Sequence, residues 1–171
     1  MLMYSQREEI GCVGAKLYYP DNKIQHAGVI LGIYGYAGYS HKYYNYKSTG
    51  YYFRLISIQN MSAVTAACLM IKTKIYKELN GLDEINLEVA FNDVDFCLRA
   101  QEKGYRNIFT PYCEAYHYES ISRGKENTPI KMDRFKREVE YIKKRYSIIF
   151  KRGDPFYNPN LTLIREDFSL K

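Results

Sequence analysis

The chain has 171 residues, 46% of them hydrophobic, which is enough for one domain with a sizeable core. Nineteen tyrosines, no tryptophan, a net charge of +6 and a pI near 9.0 point to anionic partners: a nucleotide diphosphate, a membrane lipid or a nucleic acid. Four scattered cysteines form no C-x-x-C or zinc spacing, and no apolar run reaches the roughly 20 residues that span a bilayer, which excludes a zinc module and a membrane-spanning helix.

With no secretory signal at the start, the thiols are expected reduced and the protein cytoplasmic. Residues 4–10 are polar and read as the tail of a helix. Cys12 to Tyr19 reads as a strand, Pro20 to Lys23 as a turn, and Gln25 to Ile33 as a second strand completing a hairpin. His26, at the start of that strand, is expected to be a polar surface residue. Residues 34–53 hold Gly35, Gly38, Gly50, His41 and many tyrosines without a clear period. They read as a mobile aromatic loop, either a flap that stacks rings on an acceptor sugar or an irregular segment packed on itself.

Ala63 to Ile71 has the apolar content of a buried strand. Thr73 to Leu79 reads as a short helix with Thr73 as its cap, ended at Gly81, and Asn80 tolerates the left-handed conformation there. The next helix opens near Asn92, with Val94, Cys97 and Leu98 at helical spacing and Gly104 as the stop. Asn92 suits the N-cap, and Asp95 stands where the partner of a capping box would be. Acidic residues in a first turn gain about 0.3–1 kcal/mol from the helix dipole, and Asp95 precedes Arg99 by four, an ordinary surface ion-pair spacing. Two residues apart on a helix point in different directions, so Asp93 and Asp95 do not share one metal. Asp93, at the helix mouth, is the better candidate for chemistry.

Tyr105 to Phe109 reads as a strand broken at Pro111, and Ala115 to His117 continues the sheet. In the loop from Glu119 to Lys125, Arg123 offers a planar fork for a diphosphate and Gly124 a hinge; the alternative is a solvated basic loop. The last helix is expected over Lys131 to Phe150, with Met132, Phe135, Val139, Ile142, Tyr146 and Ile149 in one stripe. Its other faces carry Lys136, Arg137, Lys143, Lys144 and Arg145, suited to solvent or to an anionic membrane. The segment from Asp154 to Leu161 is turn-like and expected to wrap back as an ordered tail.

N-G-L-D-E at 80–84, F-N-D-V-D-F-C-L-R-A at 91–100, G-Y-R-N-I-F-T-P at 104–111 and H-Y-E-S-I-S-R-G at 117–124 resemble the C-terminal, acceptor-side half of family 2 glycosyltransferases. These are inverting GT-A enzymes of the bacterial surface-polysaccharide type, and the likeness extends through residues 63–71 and 154–161. The resemblance implies an α/β fold: the C-terminal portion of a GT-A fold, a mixed sheet with flanking helices, without the N-terminal nucleotide-binding half. Residues 1–171 would form a single partial domain, with an amphipathic helix and ordered tail over 126–171.

By position Asp93 matches the family's catalytic base, and Asn92 stands where the family often has Glu. His117 matches a histidine that helps hold Mg2+ or Mn2+, the other ligands coming from the absent half. Ser122 and Arg123 would bind the donor diphosphate. Asp83, Glu84, Asn92, Thr65 and Ala66 would face the acceptor or sugar, Ala66 replacing a usual Gly, and Asp95 and Arg99 would support the site from behind. The implied partners are a nucleotide-sugar donor, a saccharide or lipid-linked acceptor, the donor-side half or a second copy of the chain, and a peripheral contact at the inner face of the membrane, with no nucleic acid. No Gly-rich phosphate loop is present. A non-catalytic remnant or saccharide-binding module with the same fold therefore stands beside the enzyme reading.

Overall fold

The computed structural model describes residues 1–118 and 128–171. Its elements are α1 (Leu2–Ser5), β1 (Ile10–Tyr18), β2 (Ile24–His26), β3 (Val29–Leu31), β4 (Ala37–Tyr39), β5 (Gln59–Met61), β6 (Leu69–Met70), α2 (Thr73–Glu78), α3 (Asn92–Glu102), β7 (Arg106–Tyr116), α4 (Pro129–Arg145) and α5 (Ser147–Arg152). The main sheet has the order β2-β1-β7-β5, with β6 also on β1; β3 and β4 form a separate ribbon. β1 and β7 run parallel, while β2, β6 and β5 pair antiparallel. This is the mixed α/β sheet with flanking helices that the sequence implied.

All nine residues of β1 are buried, because helix α3 covers one face and the N-terminal turn the other. Close packing explains Gly14: a Cβ there would lie 2.5 Å from the Cβ of Val64. Asn107 stitches the layers together. Its side-chain oxygen accepts the Cys12 N–H at 3.3 Å, and its amide donates to the carbonyls of Ser62 (3.1 Å) and Cys97 (2.8 Å). The cysteines are free, with Cys97 in the core and Cys68 half-buried.

Several elements differ from the sequence expectation, each for a local reason. The strand over Gln25 to Ile33 is broken at Gly28, whose φ of 100° turns β3 out of the main sheet to pair with β4. The buried strand over Ala63 to Ile71 is cut down to the half-buried β6, Leu69–Met70. Residues 59–61 pair with β7 instead, and Thr65 accepts the Ala67 N–H at 3.3 Å to start a 3-10 turn at Ala66–Cys68. β7 continues through Pro111: Thr110 pairs with Ala15 and Glu114 with Lys16, so residues 111–113 bulge out where proline's missing N–H is harmless. Thr73 is not the cap of α2, which starts from Lys72 without a side-chain bond. The expected last helix is two, parted at Tyr146; Ile142 and Tyr146 are buried, whereas Met132 is exposed.

Part of the tyrosine-rich loop packs on the domain, as the self-packed reading expects, while Tyr43 and Tyr46 stay exposed. Ser40 and His41 are buried, and the His41 ring stacks on Phe168 of the C-terminal tail at 4.1 Å. His41 Nε2 accepts the Tyr51 N–H at 2.9 Å, and burial lowers its pKa to about 3. The tail packs on the domain, with Tyr157, Leu161 and Phe168 in the core. Among the described residues, no helix is long and apolar enough to cross a membrane.

Candidate functional site

Helix α3 is entered from a chain segment held at both ends. At one end Asn80 and Gly81 both adopt positive φ, 58° and 69°, as their residue types allow. At the other, buried Glu138 of α4 accepts the N–H groups of Val89 (2.9 Å) and Ala90 (3.1 Å). The N-cap is Phe91 at φ 63°, so the expected capping box of Asn92 and Asp95 does not form; Asn92 is the first helical residue. A negative carboxylate receiving two backbone donors does the fastening that a cap would otherwise do.

Asp93 then sits at the helix mouth, half-buried. Its Oδ2 accepts the Ala66 N–H at 3.0 Å and its Oδ1 accepts the Val94 N–H at 2.9 Å. Burial pushes its pKa above the ordinary carboxylate value, against the opposing pull of hydrogen bonds from Ala66, Thr65 and Val94. Thr65, Ala66 and Asp93 are thus brought together. Ala66 is exposed, so the seat opens at the surface.

The turn that carries Ala66 hangs on a histidine whose role the sequence did not reveal. His26 is fully buried, not a surface residue. Its Nδ1 lies 2.9 Å from the Ala15 carbonyl, which can only accept, so Nδ1 carries the proton. Nε2 is then the acceptor for the N–H groups of Thr65 and Gly28, both at 3.1 Å. Burial lowers the His26 pKa to about 4, keeping the ring neutral. A polar residue two before a glycine was the sole signal in the sequence, and its partner Thr65 lies 39 residues away.

His117 directly follows β7, its N–H bonded to the Tyr18 carbonyl at 2.9 Å. Gln25 clips it at two points. The Gln25 amide nitrogen donates to the His117 carbonyl at 3.3 Å, which turns the Gln25 oxygen toward Nδ1 at 2.8 Å. Nδ1 therefore carries a proton, and in a neutral ring the lone pair falls on Nε2, the arrangement seen behind metal-binding histidines. Among the described residues, however, no three His, Cys, Asp or Glu side chains gather to hold an ion. They do not make a site for Mg2+ or Mn2+ by themselves. No hydrogen bond joins His117 to Asp93, and Ser122 and Arg123 lie outside the described residues.

Asp83 and Glu84 belong to another place. They line an open groove of about 750 Å³ together with Asn80, Gly81, Arg99 and Arg145. The Asp83 carboxylate accepts the N–H groups of Asn86 (3.0 Å) and Ile85 (3.3 Å) and the Tyr141 hydroxyl (3.0 Å). Burial pushes its pKa up, but these bonds outweigh it and hold the carboxyl below its usual value. Asp95 does pair with Arg99, at 2.7 Å, but in the interior rather than on the surface. It also binds Arg145 at 3.1 Å and accepts the Tyr146 hydroxyl at 2.7 Å. Arg99 goes on to the carbonyls of Leu79 and, at 2.8 Å, Gly81, closing the end of α2.

No family model matches the chain. It is 54% identical over 170 residues to the uncharacterized protein y4gI of Sinorhizobium fredii, an alignment covering 99% of this chain and 19% of that protein. It is 32% identical over 177 residues to the O-antigen biosynthesis protein RfbC of Myxococcus xanthus, covering 100% of this chain and 13% of that protein. The chain spans less than a fifth of the length of these relatives, 19% of one and 13% of the other.

Proposed function

We propose that this chain is the acceptor-side, base-bearing part of an inverting glycosyltransferase that works in polysaccharide biosynthesis. The observation that carries the reading is the seat of Asp93. Its carboxylate stands at a helix mouth, fixed by two backbone N–H bonds, raised in pKa by burial and open beside exposed Ala66. The carboxylate also accepts from the Thr65 hydroxyl and from its own backbone N–H, so an acceptor hydroxyl would bind by displacing one of these donors, the Thr65 hydroxyl being the one that can rotate away. As that hydroxyl oxygen bonds to the anomeric carbon of a nucleotide-sugar, Asp93 takes its proton. The bond from the anomeric carbon to the diphosphate breaks, its electron pair leaving with the diphosphate, and the centre inverts. A raised pKa brings the base closer to working pH, where proton transfer is most effective. The similarity to a protein named for O-antigen biosynthesis supports a polysaccharide as the product.

On this reading Asp83 and Glu84 rim the acceptor's path, Asp95 and Arg99 hold α3 in place, and Ser122 and Arg123 meet the donor diphosphate. The donor-binding half comes from the longer polypeptide or from a second copy, at the cytoplasmic face of the membrane. A divalent ion would take Nε2 of His117 and draw its remaining ligands from outside the described residues. The test is Asp93→Asn in the intact polypeptide, assayed for transfer from radiolabelled nucleotide-sugars. Turnover should fall by about 10²–10⁴ with the donor KM unchanged; undiminished turnover overturns the assignment. A second reading, a saccharide-binding module without turnover, is favoured by the fact that both Asp93 oxygens already accept backbone bonds, as a capping residue's would. Saccharide binding with no transfer by the intact wild-type polypeptide would select it.

A further inference from the structure

At the carboxyl ends of the parallel strands β1 and β7, the place where open α/β sheets receive ligands, the surface is paved with tyrosine. The chain at 42–47 is laid along the β1–β2 turn. Tyr43 donates its N–H to Ile24 (2.8 Å), Tyr44 accepts from Ile24 (2.7 Å), Tyr46 donates to Asn22 (3.1 Å), and Lys23 bridges Asn45. The rings fall in two sets on consecutive residues of the turn: Tyr43 stacks on Tyr19 at 5.4 Å, while Tyr18 touches Tyr46 at 6.5 Å and Tyr116 at 5.8 Å. Tyr43, Tyr46 and Tyr116 remain 60%, 42% and 54% exposed although each ring is braced by another. Tyr43 holds φ at 65°, a conformation that few tyrosines adopt. His117 follows Tyr116 directly.

The geometry points to a saccharide-binding platform formed by Tyr43, Tyr46 and Tyr116 beside His117, which holds the sugars of an acceptor chain by stacking; it rests on the polysaccharide reading above. Braced rings lose little freedom on binding, so stacking against the C–H faces of pyranose rings is not offset by ordering. The tyrosine hydroxyls, Asn45 and the heads of Lys42 and Lys47, which lie 5.2 Å and 5.5 Å from the Tyr43 and Tyr46 ring centres, supply partners for sugar hydroxyls. Stacked nucleobases would also suit such rings. The two carboxylates of the patch are answered by lysines, Asp21 by Lys23 at 2.8 Å and Glu114 by Lys16 at 3.6 Å, so the choice of sugar over base rests on the polysaccharide reading and the oligothymidylate tests it.

The test uses the protein with 13C-labelled tyrosine rings, titrated with maltohexaose, mannohexaose, chitohexaose and an oligothymidylate. At least one hexasaccharide should shift the Tyr43, Tyr46 and Tyr116 ring signals, with a dissociation constant in the millimolar range. Tyr43→Ala with Tyr46→Ala should weaken that binding by at least about tenfold, and Tyr52→Ala, in a turn outside both ring sets, should leave it unchanged. Ring signals unmoved by every hexasaccharide, equal binding by the double variant, or selective shifts with the oligothymidylate would each overturn the platform. If Asp93→Asn retains turnover while the hexasaccharide shifts persist, the base assignment fails and the platform stands.

Discussion

Two carboxylates two residues apart on α3 show how position divides chemistry from architecture. Asp95 is wholly buried and meets two guanidinium groups and a phenol, so its charge is answered by Arg99 and Arg145. Asp93, at the mouth, meets neutral backbone N–H groups, and burial moves its pKa toward the range where a proton can be taken up. The first carboxylate ties α2, α3 and α4 together through Arg99, Arg145 and Tyr146. Among the described residues no cation holds the charge of the second, which is what a base needs.

The sharpest way to break this contrast is to remove Asp95. Asp95→Ala leaves Arg99 and Arg145 without their buried partner and should cost about 3–5 kcal/mol in urea unfolding; a loss below about 1 kcal/mol would mean that the network is not structural. Next comes His26, which holds the turn under Asp93. Its pKa drops from 6.5 to about 4 on folding, so the unfolded chain binds the extra proton first. The stability tied to its neutral form is present above about pH 6.5 and is lost as pH falls toward about 4, by about 3 kcal/mol. His26→Gln should remove that acid-dependent slope, measured by unfolding at a series of pH values.

Asp93→Asn should shift stability less, and in the opposite sense with pH. A raised carboxyl pKa means that the fold loses stability as pH rises from about 4 through the folded value. The Asn variant lacks this loss and should gain on the wild type across that window; a constant difference would show that the carboxyl is not raised. The smallest effect is expected at Gln25. Gln25→Ala unclips His117 and should cost about 1 kcal/mol, while the ring 15N shifts of His117 move from one tautomer to a mixture. Unchanged shifts would show that Gln25 does not set the tautomer.

What could be read from the sequence was local. Strand β1, the Pro20–Lys23 turn, α3 with its Gly104 stop, the left-handed Asn80 and the Asp95–Arg99 pair all rest on neighbours within a few residues. What escaped depended on distant partners. The burial of His26 is decided by Thr65, 39 residues on, and the kink at Tyr146 coincides with a hydroxyl bonded to Asp95, 51 residues back. Glu138 reads as one more charged helical residue until the loop over Val89 and Ala90 is laid against it. Ring stacking by the tyrosine-rich loop was legible as one of two readings, but its partner rings were not: they come from separate stretches that only the β1–β2 turn and the end of β7 bring together.

The most direct measurement of the central claim is the pH dependence of kcat/KM for sugar transfer by the intact polypeptide and its Asp93→Asn variant. The wild type should show an acid limb, the rate falling as a group with a pKa above the ordinary carboxylate value becomes protonated, and the residual rate of the variant should lack that limb. An acid limb that persists unchanged in Asp93→Asn would show that some other group takes the proton.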